Sequence, residues 1–145
     1  MTDSDPIEVS IHIAAAPDLV YRYFTDPERY RQWMGNVVRL DPVPGGVFRV
    51  GMRDGVAAEG TFVELDAPRR LLFTWGWTDL FEVAPGSTRV EGTLTEEDGG
   101  TRVHLRHHDL PTDEAREQHR GGWEMYLGRL AVRAAGGDPG PDPNL

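Results

Sequence analysis

The chain is 145 residues long, with no cysteine and a formal net charge of −9, which is enough chain for one domain with a substantial core. The lack of thiols excludes disulfides and thiolate chemistry and fits a reducing cytoplasm. The excess negative charge argues against nucleic acid and anionic membranes as partners. Apolar runs extend only a few residues and the start, MTDSDP, is acidic and polar, so neither a membrane span nor a secretory or transit peptide is expected.

In chain order, IEVSIHI (7–13) alternates apolar and polar residues, the pattern of a half-buried strand. Pro17 suits a first helical position, and Leu19, Val20, Tyr23 and Phe24 give the short helix that follows an apolar face. Asp26-Pro27 reads as an N-cap with proline behind it and opens a second short helix through Trp33. Strands are predicted at 37–41, 46–53, 57–65, 70–77, 88–96 and 101–108. Thr112 is placed to cap a long last helix, with Asp113, Glu114 and Glu117 complementing its dipole. Along that helix Ala115, His119, Gly122, Trp123, Tyr126, Leu127, Leu130 and Ala134 form one stripe at helical period. Gly121 and Gly122 each cost the helix roughly 1 kcal/mol against alanine, which predicts a close approach to the sheet or a kink that opens a pocket. The domain is expected to run over 1–136, with 137–145, rich in Gly and Pro, as a flexible tail.

Strand registers can be read from the turns. A hairpin closed by Arg53–Ala57 sets Val50 opposite Gly60 and Phe48 opposite Phe62. A turn at Asp66–Arg69 sets Phe62 opposite Phe73 and Gly60 opposite Trp75. A turn at Glu97–Gly100 sets Leu94 opposite Val103 and Val90 opposite His107. Phe48, Val50, Met52, Phe62, Phe73, Trp75 and Trp77 then share one face, while Arg49, Arg53, Glu59, Thr61 and Thr74 take the other, with Val63 and Leu72 as apolar exceptions. An antiparallel meander with one solvated face follows. Its apolar face and the helix stripe must cover each other, because neither can stay wet. The predicted class is therefore α+β: a curved antiparallel sheet wrapped around a long C-terminal helix, with two short helices after the first strand.

Five blocks in this order, AAAPDLVYRYFTDPERYRQWM, PGGVFRVGM, GTFVELDAPRRLLFTWGW, GGTRVHLRHHDLP and HRGGWEMYLGRLA, carry a resemblance. Over about residues 7–134 the chain resembles the bacterial activator of heat shock protein 90 ATPase homologues, within the START/SRPBCC superfamily that includes birch-pollen allergens and polyketide cyclases. The resemblance implies the helix-grip fold with a ligand-accommodating cavity. Superfamily members bind lipids, hormones and aromatic polyketides, and a minority are enzymes. The segment TDLFEVAPGS (78–87) departs from the common family pattern.

Two histidines are the candidate catalytic groups. Strand parity turns His107 inward and helical period puts His119 on the inner stripe, and both match recurrent family positions. Each could act as a base or orient a carbonyl, or simply bond a neighbour and pack. The candidate ligand-binding set is Trp33, Phe48, Val50, Met52, Phe62, Phe73, Trp75, Trp77, Val90, Leu105, His107, His119, Trp123 and Tyr126. Trp and Tyr suit a pocket for an aromatic or amphipathic molecule, though the same rings could fill the space instead. His104 and His108 lie about 13 Å apart on a strand, with His107 on the opposite face, so no metal site is expected. No cofactor is expected either.

The expected function is a cytoplasmic protein that binds a hydrophobic or aromatic small molecule. The alternatives are a cyclase- or dehydratase-like enzyme using His107 or His119, and a chaperone-interacting module. No nucleic acid or membrane partner is expected, and the chain is expected to be a monomer or a weak homodimer.

Overall fold

A computed structural model describes residues 6–79 and 82–145. Most of the acidic start (1–5) and two residues of the 78–87 connection (80 and 81) lie outside the described residues. The strands are β1 (Ile7–Ile13), β2 (Val37–Leu40), β3 (Val47–Gly51), β4 (Ala57–Asp66), β5 (Arg70–Trp75), β6 (Thr88–Glu97) and β7 (Gly100–His108). The helices are α1 (Pro17–Thr25), α2 (Pro27–Tyr30) and α3 (Asp113–Ala134). All strand pairs are antiparallel, and the sheet order is β1-β7-β6-β5-β4-β3-β2. Only β1 leaves chain order, moving to the far edge beside β7.

The two predicted caps form. Asp26 accepts from the Glu28 amide at 3.0 Å, and Thr112 accepts from the Ala115 amide at 3.0 Å. α2 is shorter than its predicted span. It ends at Tyr30, and residues 31–34 continue as a turn in which Trp33 N–H and Met34 N–H both donate to Tyr30 O.

The β6–β7 register is as predicted, with Leu94 opposite Val103 and Val90 opposite His107, and Phe62 lies opposite Phe73. The β3–β4 hairpin departs from its predicted register by two residues: Val50 faces Ala58 and Phe48 faces Gly60. The turn is tighter because Asp54 (φ 62°) and Gly55 (φ 76°) are both left-handed, which lets the Met52 amide donate to Val56 O at 2.7 Å. A two-residue slip preserves the face of every side chain, because the strand period is two. β5 stops at Trp75. Residues 84 and 85 pass there, and the Ala84 carbonyl lies where a side chain on Gly76 would stand. A bulge between Phe62 and Glu64 leaves Val63 exposed.

β1 and β3 lie far apart in the sheet, yet Ile7 and Val9 of β1 and Phe48 and Val50 of β3 enter the same core as Trp123, Leu127 and Leu130 of α3. The sheet therefore wraps the helix. On α3, all of the predicted stripe except Gly122 is buried. The Gly/Pro-rich tail makes hydrogen bonds back to the domain. The Arg129 guanidinium donates to the carbonyls of Pro139, Gly140 and Pro141, each at 3.1 Å. The Asp142 carboxylate accepts from the Gly35 amide at 3.0 Å and the Tyr126 hydroxyl at 2.8 Å. Single polar side chains, not an apolar pattern, hold this segment.

Candidate functional site

Where the helix passes the ends of β3 and β5, the interior opens into a cavity of about 340 Å³ that reaches solvent. Each wall comes from a different element. The β3–β4 turn gives Met52, Arg53, Asp54 and Val56; β5 and its continuation give Trp75 and Trp77. One face of α3 gives Gln118, His119, Gly122, Trp123 and Tyr126, while Met34 and the tail residue Asn144 complete the lining. Gln118, Gly122 and Tyr126 recur at i, i+4 and i+8, so the helix contributes a straight floor. No atom lies within 4 Å of a Cβ built at Gly122. The predicted close approach is thus replaced by a simpler role: the missing side chain is cavity space.

Of the residues named from sequence, Met52, Trp75, Trp77, His119, Trp123 and Tyr126 line this cavity. Trp33, Phe48, Val50, Phe62, Phe73, Val90, Leu105 and His107 are buried in the packing behind it. Trp33 donates its indole N–H to Tyr23 O at 3.0 Å, and Phe48 stacks on Phe73 at 4.2 Å. Inward parity finds both groups alike, since core and pocket wall are equally apolar. Sequence reasoning missed Met34, Arg53, Asp54, Val56, Gln118, Gly122 and Asn144. Gln118 and Gly122 were legible from helical spacing around His119. The turn residues and Asn144 carried no such signal.

The structure brings the two histidines together, their rings 5.1 Å apart and nearly perpendicular. An indole N–H can only donate, so each tautomer follows from its partners. Trp123 donates to His107 Nδ1 at 3.1 Å. His107 Nε2 therefore carries the proton and donates to Thr88 Oγ1 at 2.8 Å, and Thr88 donates onward to Trp75 O at 2.7 Å. Trp77 donates to His119 Nε2 at 2.9 Å, so His119 Nδ1 carries the proton and donates to Ala115 O at 2.7 Å. Protonating either ring would set an N–H against an indole N–H. Burial pushes the His107 imidazole well below its ordinary value, with His119 and His108 adding to the effect. Burial likewise lowers His119, against the opposing bond to Ala115 O. Tyr126 is held above the ordinary phenol range, mainly by burial.

The other histidines of β7 serve the outer face. His104 meets Glu8 at 2.6 Å and His108 lies 3.5 Å from Glu91. Among the described residues no three His, Asp or Glu side chains are grouped as metal ligands. The outer face is crossed by ion pairs, among them Arg49–Glu59, Arg89–Asp109 and Arg102–Glu97, each at 2.8 Å.

The profile of the "Activator of Hsp90 ATPase homolog 1-like protein" family matches residues 14–135. An AHSA1-like protein from Rhizobium etli, solved in solution, is 41% identical over 99% of this chain and 89% of its own, with a TM-score of 0.77. DynU16, a protein of the dynemicin biosynthetic locus, is 28% identical over 94% of this chain with a TM-score of 0.79, and this chain spans about half (49%) of its length. CalU16 from Micromonospora echinospora is 29% identical over 95% of this chain and 77% of its own, with a TM-score of 0.74. No match is found among curated proteins. The match over most of the chain, the antiparallel seven-strand sheet and the long C-terminal helix lead to one conclusion: this chain belongs to the Activator of Hsp90 ATPase homolog 1-like family, with its SRPBCC-type helix-grip fold.

Proposed function

We propose that this protein binds a hydrophobic or aromatic small molecule in the cavity between α3 and the sheet. The observation that carries the reading is the lining itself: Trp75, Trp77, Trp123, Tyr126, Met34 and Met52 surround a solvent-connected space of about 340 Å³, within the size range of small-molecule sites. The likeness to a protein of a biosynthetic locus supports a small-molecule ligand. A cysteine-free chain fits a cytoplasmic setting. No described helix is long and apolar enough to cross a membrane.

Binding is favoured over catalysis by the two imidazoles. A general base needs a lone pair facing the substrate, but the acceptor nitrogens of His107 and His119 are both occupied by tryptophan N–H groups. A chaperone-docking role for the outer face is disfavoured because its charges are already paired across strands.

The test is titration with the neutral fluorophore N-phenyl-1-naphthylamine. Saturable binding with quenching of tryptophan emission is expected, and a linear, non-saturating response would remove the reading. The glycines sharpen it. Neither Gly121 nor Gly122 would bring a Cβ within 4 Å of an atom. Gly121→Ala and Gly122→Ala should therefore each stabilise the fold by about 0.5–1 kcal/mol in urea denaturation. Gly122→Leu should fill the cavity and weaken probe binding about tenfold or more, whereas Gly121→Leu, outside the lining, should leave it unchanged. Equal effects of the two leucines would place the ligand elsewhere.

A further inference from the structure

We propose that the cavity selects an aromatic molecule with one uncharged polar end, which Gln118 reads at the rim while the apolar body seats inward against the tryptophans. The proposal rests on the ligand-binding reading above and adds to it an orientation and an end chemistry. The lining sorts by depth. Its tryptophans, Tyr126 and the two methionines are buried, whereas Arg53, Asp54, Gln118 and Asn144 are exposed and so form the rim. Inside, the polar side-chain groups are already committed. Trp77 donates to His119, His119 to Ala115 O and Trp123 to His107. The Tyr126 hydroxyl donates to Asp142 and accepts from Asn144. The Trp75 indole nitrogen is shut away from the open space by the atoms around it. A ligand oxygen carried to this depth would give up its water and meet no partner.

The rim is the reverse. Arg53 and Asp54 put one charge of each sign 3.9 Å apart. A carboxylate drawn to the first is repelled by the second, and an ammonium meets the same balance with the signs exchanged. The rim therefore favours an end without charge. Gln118 supplies the hydrogen bonding. It stands on α3 one turn before Gly122, on the same face of the helix. Its amide makes one long bond, Nε2 to Glu114 Oε1 at 3.4 Å. A primary amide both donates and accepts, and so does a hydroxyl. A phenol or alcohol on an aromatic body answers both zones: the ring enters, and the hydroxyl stays at the rim beside Gln118.

Biphenyl, 4-phenylphenol and 4,4′-dihydroxybiphenyl, each competed against N-phenyl-1-naphthylamine, test it. Wild type should bind 4-phenylphenol about fivefold more tightly than biphenyl, the worth of one hydrogen bond. The dihydroxy compound should bind about tenfold more weakly than 4-phenylphenol, because its second hydroxyl is stranded inside. In Gln118→Leu, biphenyl should keep its affinity within about twofold while the preference for 4-phenylphenol disappears. Nuclear Overhauser contacts in the wild-type complex should join the unsubstituted ring to the Trp75 and Trp123 side chains and the hydroxylated ring to Gln118. Equal binding of the mono- and dihydroxy compounds, a preference that survives in Gln118→Leu, or the opposite orientation would overturn the proposal and leave the pocket standing. So would failure of all three to displace a bound naphthylamine. Failure of the naphthylamine and all three to bind would overturn the ligand-binding reading with it.

Discussion

Trp123→Ala should cost about 3–5 kcal/mol, the range for deleting a buried tryptophan from a core. Trp123 is 3% exposed, at the centre of the α3 stripe, and tilts against Trp75 at 5.0 Å. Its loss would also leave His107 Nδ1 buried without a donor, a penalty of about 1–3 kcal/mol in its own right. Trp123→Phe separates the two terms, because it keeps much of the ring and removes only the N–H. It should cost less than the alanine variant but remain clearly destabilising. Urea denaturation measures both. A loss below about 1 kcal/mol for the alanine variant would mean that the helix does not present this face to the sheet.

Mild acid should unfold the protein through His107 and His119. Both imidazoles are held below the ordinary value near 6.5, so the unfolded chain takes up their protons first as pH falls. Their contribution is complete above about pH 6.5 and drains as pH drops toward the folded-state values. The rate is up to about 1.4 kcal/mol per pH unit for each ring. Below about pH 6.5 both rings withdraw stability together, against a small domain's narrow margin. Carboxylates follow at lower pH. Glu91, lowered chiefly by its bond to Arg70, loses its contribution as pH falls below the ordinary carboxylate range. The measurement is unfolding free energy across pH 5–8 for wild type and the double variant His107→Gln, His119→Gln. Glutamine oxygens can still accept from the two indoles but do not titrate, so the slope should flatten. An unchanged slope would remove His107 and His119 from the effect.

The faces of the sheet were legible because parity tolerates error. The β3–β4 register was two residues off, and Phe48 and Val50 still pointed inward. The α3 stripe was legible because seven of its eight positions pack against one surface. The same two periodicities brought His107 and His119 to one place from the last strand and the helix that follows it. What period cannot separate is core from pocket wall. Trp33 and Trp123 carry the same inward signal, and only the Tyr23 carbonyl beside one and the cavity beside the other distinguish them. The turn at Asp54 was misjudged because two adjacent left-handed residues, one of them not glycine, shorten it. The hydrogen bonds of the tail had no sequence signal, because they rest on one arginine, one aspartate and one asparagine, spaced without repeat.

That tail gives the cavity walls of unequal firmness. Five of the lining residues belong to the 22-residue helix and Trp75 to β5, elements that share a core. The wall at Asn144 belongs to residues 136–145, which carry no buried apolar side chain and hold their place by a few hydrogen bonds. Ordering each such residue costs about 1–2 kcal/mol of backbone entropy, and each bond returns only about 1 kcal/mol. Local release of this strap therefore costs little, and it would uncover Gly35 and Tyr126 together. The rim of the cavity at Asn144 is thus a short polar segment, and the helix behind it is anchored in the core.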